Sequence, residues 1–195
     1  MEKFTKKFLF YSGICIAVIV IAELVVFAYL KFNNKSEKFN LTCVSEQADE
    51  IVRGQSLSGV IEEGQTVKLL KDFYNCNQVR RGDVIAYNLS GRTEPIIKIV
   101  KGLPGDEFKL EQNQRGGYNI IINNQILTVS TGAPYELAAG RQKMLELYIH
   151  DYNGVIPPDA YLIFGNLPSG SLDSTRFGLV GKEGIIGKAE VRSKK

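Results

Sequence analysis

The feature that most limits how this chain can fold is "FLFYSGICIAVIVIAELVVFAYL", Phe8 to Leu30, which carries a single charge in 23 residues. A run of that length and polarity is long enough to cross a bilayer as a helix with some tilt. Its one charge, Glu23, would cost about 2.5–3.5 kcal/mol near a helix centre, and the surrounding Ile, Val, Leu and Phe residues offset it. Glu23 lies toward the C-terminal third of the run and reads as a tolerated or protonated acid rather than a functional one. The run exceeds the apolar core of about 7–15 residues typical of a removable signal peptide. A retained signal-anchor is therefore expected, even though "VFA" at Val26–Ala28 loosely matches a cleavage site. Lys3, Lys6 and Lys7 precede the run and Lys31, Lys35 and Lys38 follow it, so charge alone does not orient it.

With 195 residues, the chain has room for one domain besides this segment. The net charge of +3 is small and no long Lys/Arg cluster exists, so no nucleic-acid partner is expected. The polar stretch "KFNNKSEKFN" reads as a spacer. The expected organisation is a cytoplasmic tip and anchor over 1–30, a linker over 31–50 and a folded domain over 51–195. The chain has 19 glycines, all but Gly13 in that domain, many at turns between β-branched runs, which points to a mainly β body. Strands are predicted at Thr66–Leu70, Asp83–Leu89, Pro95–Lys101, Asp106–Leu110, Tyr118–Ile122 and Ala160–Gly165, with turns at "RRGD", "LPGD", "RGG" and "INN". One helix is expected in "PYELAAGRQKMLELYIHDY", where Leu137, Arg141, Leu145 and Tyr148 fall near a 3.6 period after Pro134.

The three cysteines, Cys15, Cys43 and Cys76, show no metal-ligand spacing, so neither a metal nor another cofactor is expected. Cys43 and Cys76 can pair in an oxidising compartment, or remain as two buried thiols. "NLT" at Asn40 and "NLS" at Asn88 match glycosylation acceptors, a pattern common by chance. In "IVRGQSLSGVIEEGQ", Ser56 follows a glycine-containing turn and is a candidate nucleophile, provided a base lies near it in space. The one histidine, His150, sits at the predicted helix end beside Asp151 and reads as a surface residue. A lysine can serve as the base if it is neutral. An exposed lysine is deprotonated in only about one molecule in 2,500 at pH 7, and burial raises that fraction. Lys98 in "PIIKIVKGLPGD" is the candidate, since it alternates with Ile96 and Val100 in an apolar strand, while Lys101 falls next to the turn.

These segments together resemble the motif boxes of the bacterial type I signal peptidases, membrane-anchored Ser-Lys proteases. "GQSLSGVIEEGQ" resembles the nucleophile box with Ser56 on the nucleophile. "RRGDVIAY" resembles the strand that follows it. "KIVKGLPGD" resembles the base box with Lys98 on the general base. "FGNLPSGSLDSTRFGLVGKEGIIGKAEV" resembles the last box, with Ser171, Asp173 and Ser174 in register. The departures are Leu57 for Met, Gly59 and Val60 for Pro-Thr, Gln65 for Asp, Ile99 for Arg, Asn166 for Asp and Thr175 for Arg.

The resemblance implies a signal-peptidase-like β-fold body with one inserted helix behind an N-terminal transmembrane helix. It implies a bacterial cytoplasmic-membrane location with the N-terminus inside and the body outside. Lys98 would activate Ser56, the backbone N–H of Ser56 would hold the oxyanion, Ser171 would hydrogen-bond the lysine, and Asp173 would pair with Arg176. Gly54 stands where some members carry a helping hydroxyl. Substrates would be membrane-tethered preproteins with small residues before the cut, the partner surface would be the lipid bilayer, and the enzyme would act as a monomer. The same motifs also fit a conjugative pilin-type maturation peptidase of the clan, or an inactive homologue that binds signal segments. A self-cleaving repressor-type domain fits less well, given the anchor.

Overall fold

The structure is a computed structural model that describes Glu23 and residues 39–191. The chain divides into two units, Met1–Phe39 and Asn40–Lys195, and the second holds every strand named below. Among the described residues no helix is long and apolar enough to cross a membrane. The span expected at Phe8–Leu30 lies outside the described residues apart from Glu23.

The second unit is mainly β. A seven-stranded antiparallel sheet runs in the order β1 (Gln47–Ile51), β2 (Thr66–Lys71), β11 (Ile185–Val191), β3 (Val84–Tyr87), β4 (Ile96–Gly102), β9 (Ala160–Phe164) and β10 (Val180–Gly181). A smaller sheet holds β5 (Phe108–Gln112), β6 (Tyr118–Ile122), β7 (Gln125–Ile126) and β8 (Glu136–Leu137), the last also paired to β6. Helix α1 covers Lys143–Asp151 and helix α2 covers Ser174–Phe177, with short 3-10 turns at Phe73–Asn75 and Lys182–Gly184.

All six strands expected from sequence are present, with ends moved by at most two residues. Strand β1 lies in the stretch read as linker except for Ile51, and its residues are mostly exposed, so it carries no apolar alternation. The expected helix is shorter than its pattern. Tyr135 and Leu137 are both buried with a period of two, and β8 pairs Leu137 with Tyr118. Gly140, at φ 89°, then turns the chain, and the helix begins at Lys143. One turn of helix over Ser174–Phe177 is a second helical element that the strand-and-turn pattern did not suggest.

Strand β4 is central, hydrogen-bonded to β3 on one side and β9 on the other. Ile96 and Val100 pack with Ile85, Tyr87 and Ile163 in one core, while Ile97 and Ile99 join Val52, Leu57, Ile61 and Val67 in another. A lysine between these residues is closed off from water by its own strand neighbours. After β4 the chain turns at Gly105, and Asp106 fixes the turn by accepting the Leu103 N–H at 2.6 Å and the Arg81 guanidinium at 2.7 and 2.8 Å.

Cys43 and Cys76 form a disulfide with their Cα atoms 5.8 Å apart. It ties the segment ahead of β1 to the turn that follows β2, where Asn77 also donates to the Asn40 carbonyl at 2.7 Å. The closed loop spans 33 residues, which in the chain-entropy account corresponds to about 3–4 kcal/mol. Cys43→Ser is expected to lower folding stability by about that amount in urea unfolding under non-reducing conditions. An unchanged midpoint would show that this closure contributes nothing.

Candidate active site

The turn that carries the candidate nucleophile Ser56 is built from two buried anchors and a series of turns. Leu57 is 1% exposed and Ile61 is fully buried, and the Val60 and Ile61 N–H groups both donate to the Leu57 carbonyl at 2.9 Å. Burying a leucine contributes roughly 1.5–3 kcal/mol, enough to hold a short turn against the sheet. Leu57 thus does the packing expected of the methionine it replaces. Gly54, at φ 81°, lets the chain bend before Ser56, and its N–H is held by Glu63 at 3.0 Å. The turn leaves Ser56 half-buried at one end of a cleft.

Lys98 is 4% exposed and reaches Ser56 from β4. Its Nζ lies 2.9 Å from Ser56 Oγ and 2.8 Å from the carbonyl oxygen of Ile97. Burial pushes the Lys98 amine down from 10.5 to about 8; the charge of Asp173 works against that fall and Arg92 adds to it. Glu94 forms an ion pair with Arg53 and Asp106 is bound to Arg81, so neither acid neutralises the lysine. The serine hydroxyl is thus in contact with a buried amine that is about one-tenth neutral at pH 7, the arrangement that general-base activation of a serine requires.

The segment after β9 closes the site from behind. The N–H groups of Asn166 and Leu167 donate to the Ser56 carbonyl at 2.6 and 3.2 Å. A Cβ placed on Gly165 would sit 2.5 Å from that carbonyl oxygen and 2.3 Å from Ser171 Oγ, so a glycine is required here. Ser171 is buried, and its hydroxyl neighbours the Tyr135 hydroxyl and makes no hydrogen bond to Lys98. The hydrogen bond expected from Ser171 to Lys98 is therefore not formed; the amine uses its own strand's carbonyl at Ile97 instead.

Asp173 is fully buried and accepts from Tyr135 Oη at 2.5 Å, from the Gly165 N–H at 3.1 Å, and from the Thr175 N–H and hydroxyl at 3.1 and 2.8 Å. It caps α2 and does not pair with Arg176, whose side chain is exposed. With four donors already on it, the carboxylate has little capacity left for a guanidinium. The arginine that serves this loop comes from elsewhere. Arg141 donates to Thr175 Oγ1 at 2.5 Å and to the carbonyls of Pro168 at 2.7 Å and Ser171 at 3.4 Å. Thr175 stands where the motif usually has arginine, and a guanidinium from the α1 approach meets it.

Arg141, Tyr135 and Gly165 are site residues that sequence reasoning did not single out. Gly165 lies inside the last motif, whereas Tyr135 and Arg141 arrive from the smaller sheet's side of the chain with no local pattern to mark them. His150 is exposed at the end of α1, where its ring contacts Asp151 and not the serine. The cleft in front of the pair encloses about 540 Å³ and is lined by Ile51, Leu69, Ala86, Ile97 and Leu172 among others.

A family model described as signal peptidase, peptidase S26, matches residues 7–193. The chain belongs to the S26 signal peptidase family. By family it is a signal peptidase I-like serine endopeptidase. A signal peptidase I from Bacillus caldolyticus is 29% identical over 73% of this chain and 76% of its own length. One from Leptolyngbya laminosa is 27% identical over 72% of this chain and 66% of its own. A solved signal peptidase I from Enterococcus faecalis aligns with 60% of this chain and 98% of its own at 20% identity, with a TM-score of 0.40, too loose a likeness to argue from.

Because the folded-state amine titrates near 8 and the unfolded one near 10.5, the unfolded chain binds more protons between those values. Stability therefore rises with pH through that window, and below it the buried ammonium costs about 3 kcal/mol. Lys98→Met is expected to be more stable than the native chain near pH 6, with the gain shrinking toward pH 10, in urea unfolding at several pH values. A variant no more stable than the native chain near pH 6 would contradict the desolvation of this amine.

Proposed function

We propose that this chain is a membrane-anchored serine endopeptidase that removes signal peptides from exported preproteins with a Ser56–Lys98 dyad. The observation that carries the proposal is the 2.9 Å contact between a buried lysine amine and a serine hydroxyl, in a chain of the signal peptidase family. The anchor is Phe8–Leu30, a short linker follows, and the catalytic body, from Asn40 on, lies outside the cytoplasm. The Cys43–Cys76 disulfide supports that side of the membrane, since structural disulfides persist in oxidising compartments.

In the reaction, Ser56 Oγ attacks the scissile carbonyl carbon and its proton passes to neutral Lys98 Nζ. The negative charge that forms on the carbonyl oxygen is held by the Ser56 N–H, which among the described residues has no acceptor of its own. The C–N bond then breaks as the Lys98 ammonium returns its proton to the leaving amine. A water molecule, deprotonated by Lys98, attacks the resulting ester and releases Ser56. Ser171, whose hydroxyl lies against Gly165, supplies a partner for the transient ammonium. Asp173 acts on the site through the loop it braces. Ile51 and Leu172, both exposed at the cleft, extend its apolar lining to the surface and suit a substrate presented at a lipid boundary.

With the full-length chain in detergent and a preprotein bearing alanines just before the cut, Ser56→Ala and Lys98→Ala should each lower cleavage by more than about a thousandfold. The native kcat/KM should rise with pH about an apparent pKa near 8. Unchanged cleavage by either variant would remove the dyad.

A further inference from the structure

We propose that Asn166 is a positioning residue that, with Gly59 and Ser130, latches the nucleophile turn in place. The inference rests on the hydrolysis proposed above and concerns two of the positions at which the chain departs from the family pattern, Gly59 for proline and Asn166 for aspartate. Read separately, each departure suggests a weakened site. In the structure they touch.

Asn166 Nδ2 donates to the Ser58 carbonyl at 2.7 Å and to Ser130 Oγ at 2.8 Å, while Oδ1 accepts the Ser130 N–H at 2.7 Å. The amide can face only one way, because a carbonyl oxygen only accepts and a backbone N–H only donates. A carboxylate in its place could still accept from Ser130. It would have no proton for the Ser58 carbonyl and would set a negative oxygen against it. The backbone N–H of the same residue donates to the Ser56 carbonyl at 2.6 Å. Residue 166 therefore holds the turn at Ser56 and again at Ser58, on both sides of the Leu57 anchor.

Gly59 is the third part. Its φ of 87° is closed to proline. A Cβ there would lie 3.0 Å from Asn166 Nδ2 and 3.1 Å from Ser130 Oγ, tight against both. Its N–H is held by Glu62 at 2.8 Å. Ser130 belongs to the loop between β7 and β8, so the latch also ties the smaller sheet to the nucleophile turn. The two departures are one fitted set: glycine makes the room that the amide fills, and the amide gives the turn a donor that the usual acid lacks.

The test restores the usual residue in the full-length chain in detergent, with a preprotein bearing alanines before the cut. Asn166→Asp should fold, keep KM within about twofold and lose about tenfold or more in kcat, the scale of a buried acceptor left unpaired. Its Tm deficit against the native chain should shrink on acidification, as the carboxyl gains a proton that can reach the Ser58 carbonyl. A folded Asn166→Asp with native kcat overturns the latch. If that variant does not fold, Ser130→Ala decides, since it removes one acceptor of the amide: a loss of about threefold in kcat with a native Tm supports the latch, and native kcat overturns it. If the native chain cleaves no preprotein, the proposed hydrolysis fails, and the Tm deficit alone decides the latch, a deficit that does not change with pH overturning it.

Discussion

An amine kept out of water beside a hydroxyl is the constraint on which the rest of this structure depends. Lysine is among the costliest residues to bury, and burial brings its pKa down to about 8, so that the amine gives up its proton more readily than a solvated lysine does. The surroundings of Lys98 follow that logic. Its strand neighbours are Ile96, Ile97, Ile99 and Val100, its hydrogen bonds go to one hydroxyl and one carbonyl, and the nearby acids Glu94 and Asp106 are engaged by Arg53 and Arg81. Asp173 is close enough to pull the amine back toward its charged form, yet its oxygens are occupied by Tyr135, Gly165 and Thr175. A carboxylate bound in that way braces the loop without forming an ion pair that would lock the proton on Lys98.

The large sheet supplies rigidity where this arrangement needs it. Lys98 rides on a central strand, between β3 and β9, so its backbone is fixed from both sides. Ser56 rides on a turn, which is fixed by Leu57 in the core and by the peptide groups after Gly165. The smaller sheet contributes side chains to the same place: Tyr135 to Asp173, Arg141 to Thr175, and Ser130 to Asn166. The part of the chain around the smaller sheet thereby supports both the serine turn and the loop of Ser171.

The Ser56–Lys98 contact was legible chiefly through the order of the motif boxes. Locally, Lys98 stood out as a lysine in an apolar strand, whereas Ser56 lay in a glycine-bounded turn that a plain turn serine would fit equally. The main strands were equally legible, since β-branched alternation survives wherever one face is covered. Exposed β1 has no such alternation, and the start of α1 was blurred because Leu137 satisfies a period of two and a period of 3.6 alike. The supports were not legible. Arg141 and Ser130 lie 34 and 36 residues from their partners Thr175 and Asn166, and nothing in a single sequence marks such pairs. The expected Asp173–Arg176 pair shows the opposite error, in which nearness in the chain suggested a contact that the capping geometry of α2 does not allow.

The most direct measurement is the titration of Lys98 itself, by NMR of the full-length chain labelled at the lysine Cε carbons, with the signal assigned by its absence from Lys98→Met. A midpoint near 8 is the expected result. A Lys98 signal that titrates at its ordinary value near 10.5 would mean that the amine is solvated and charged at neutral pH, and that Ser56 has no base.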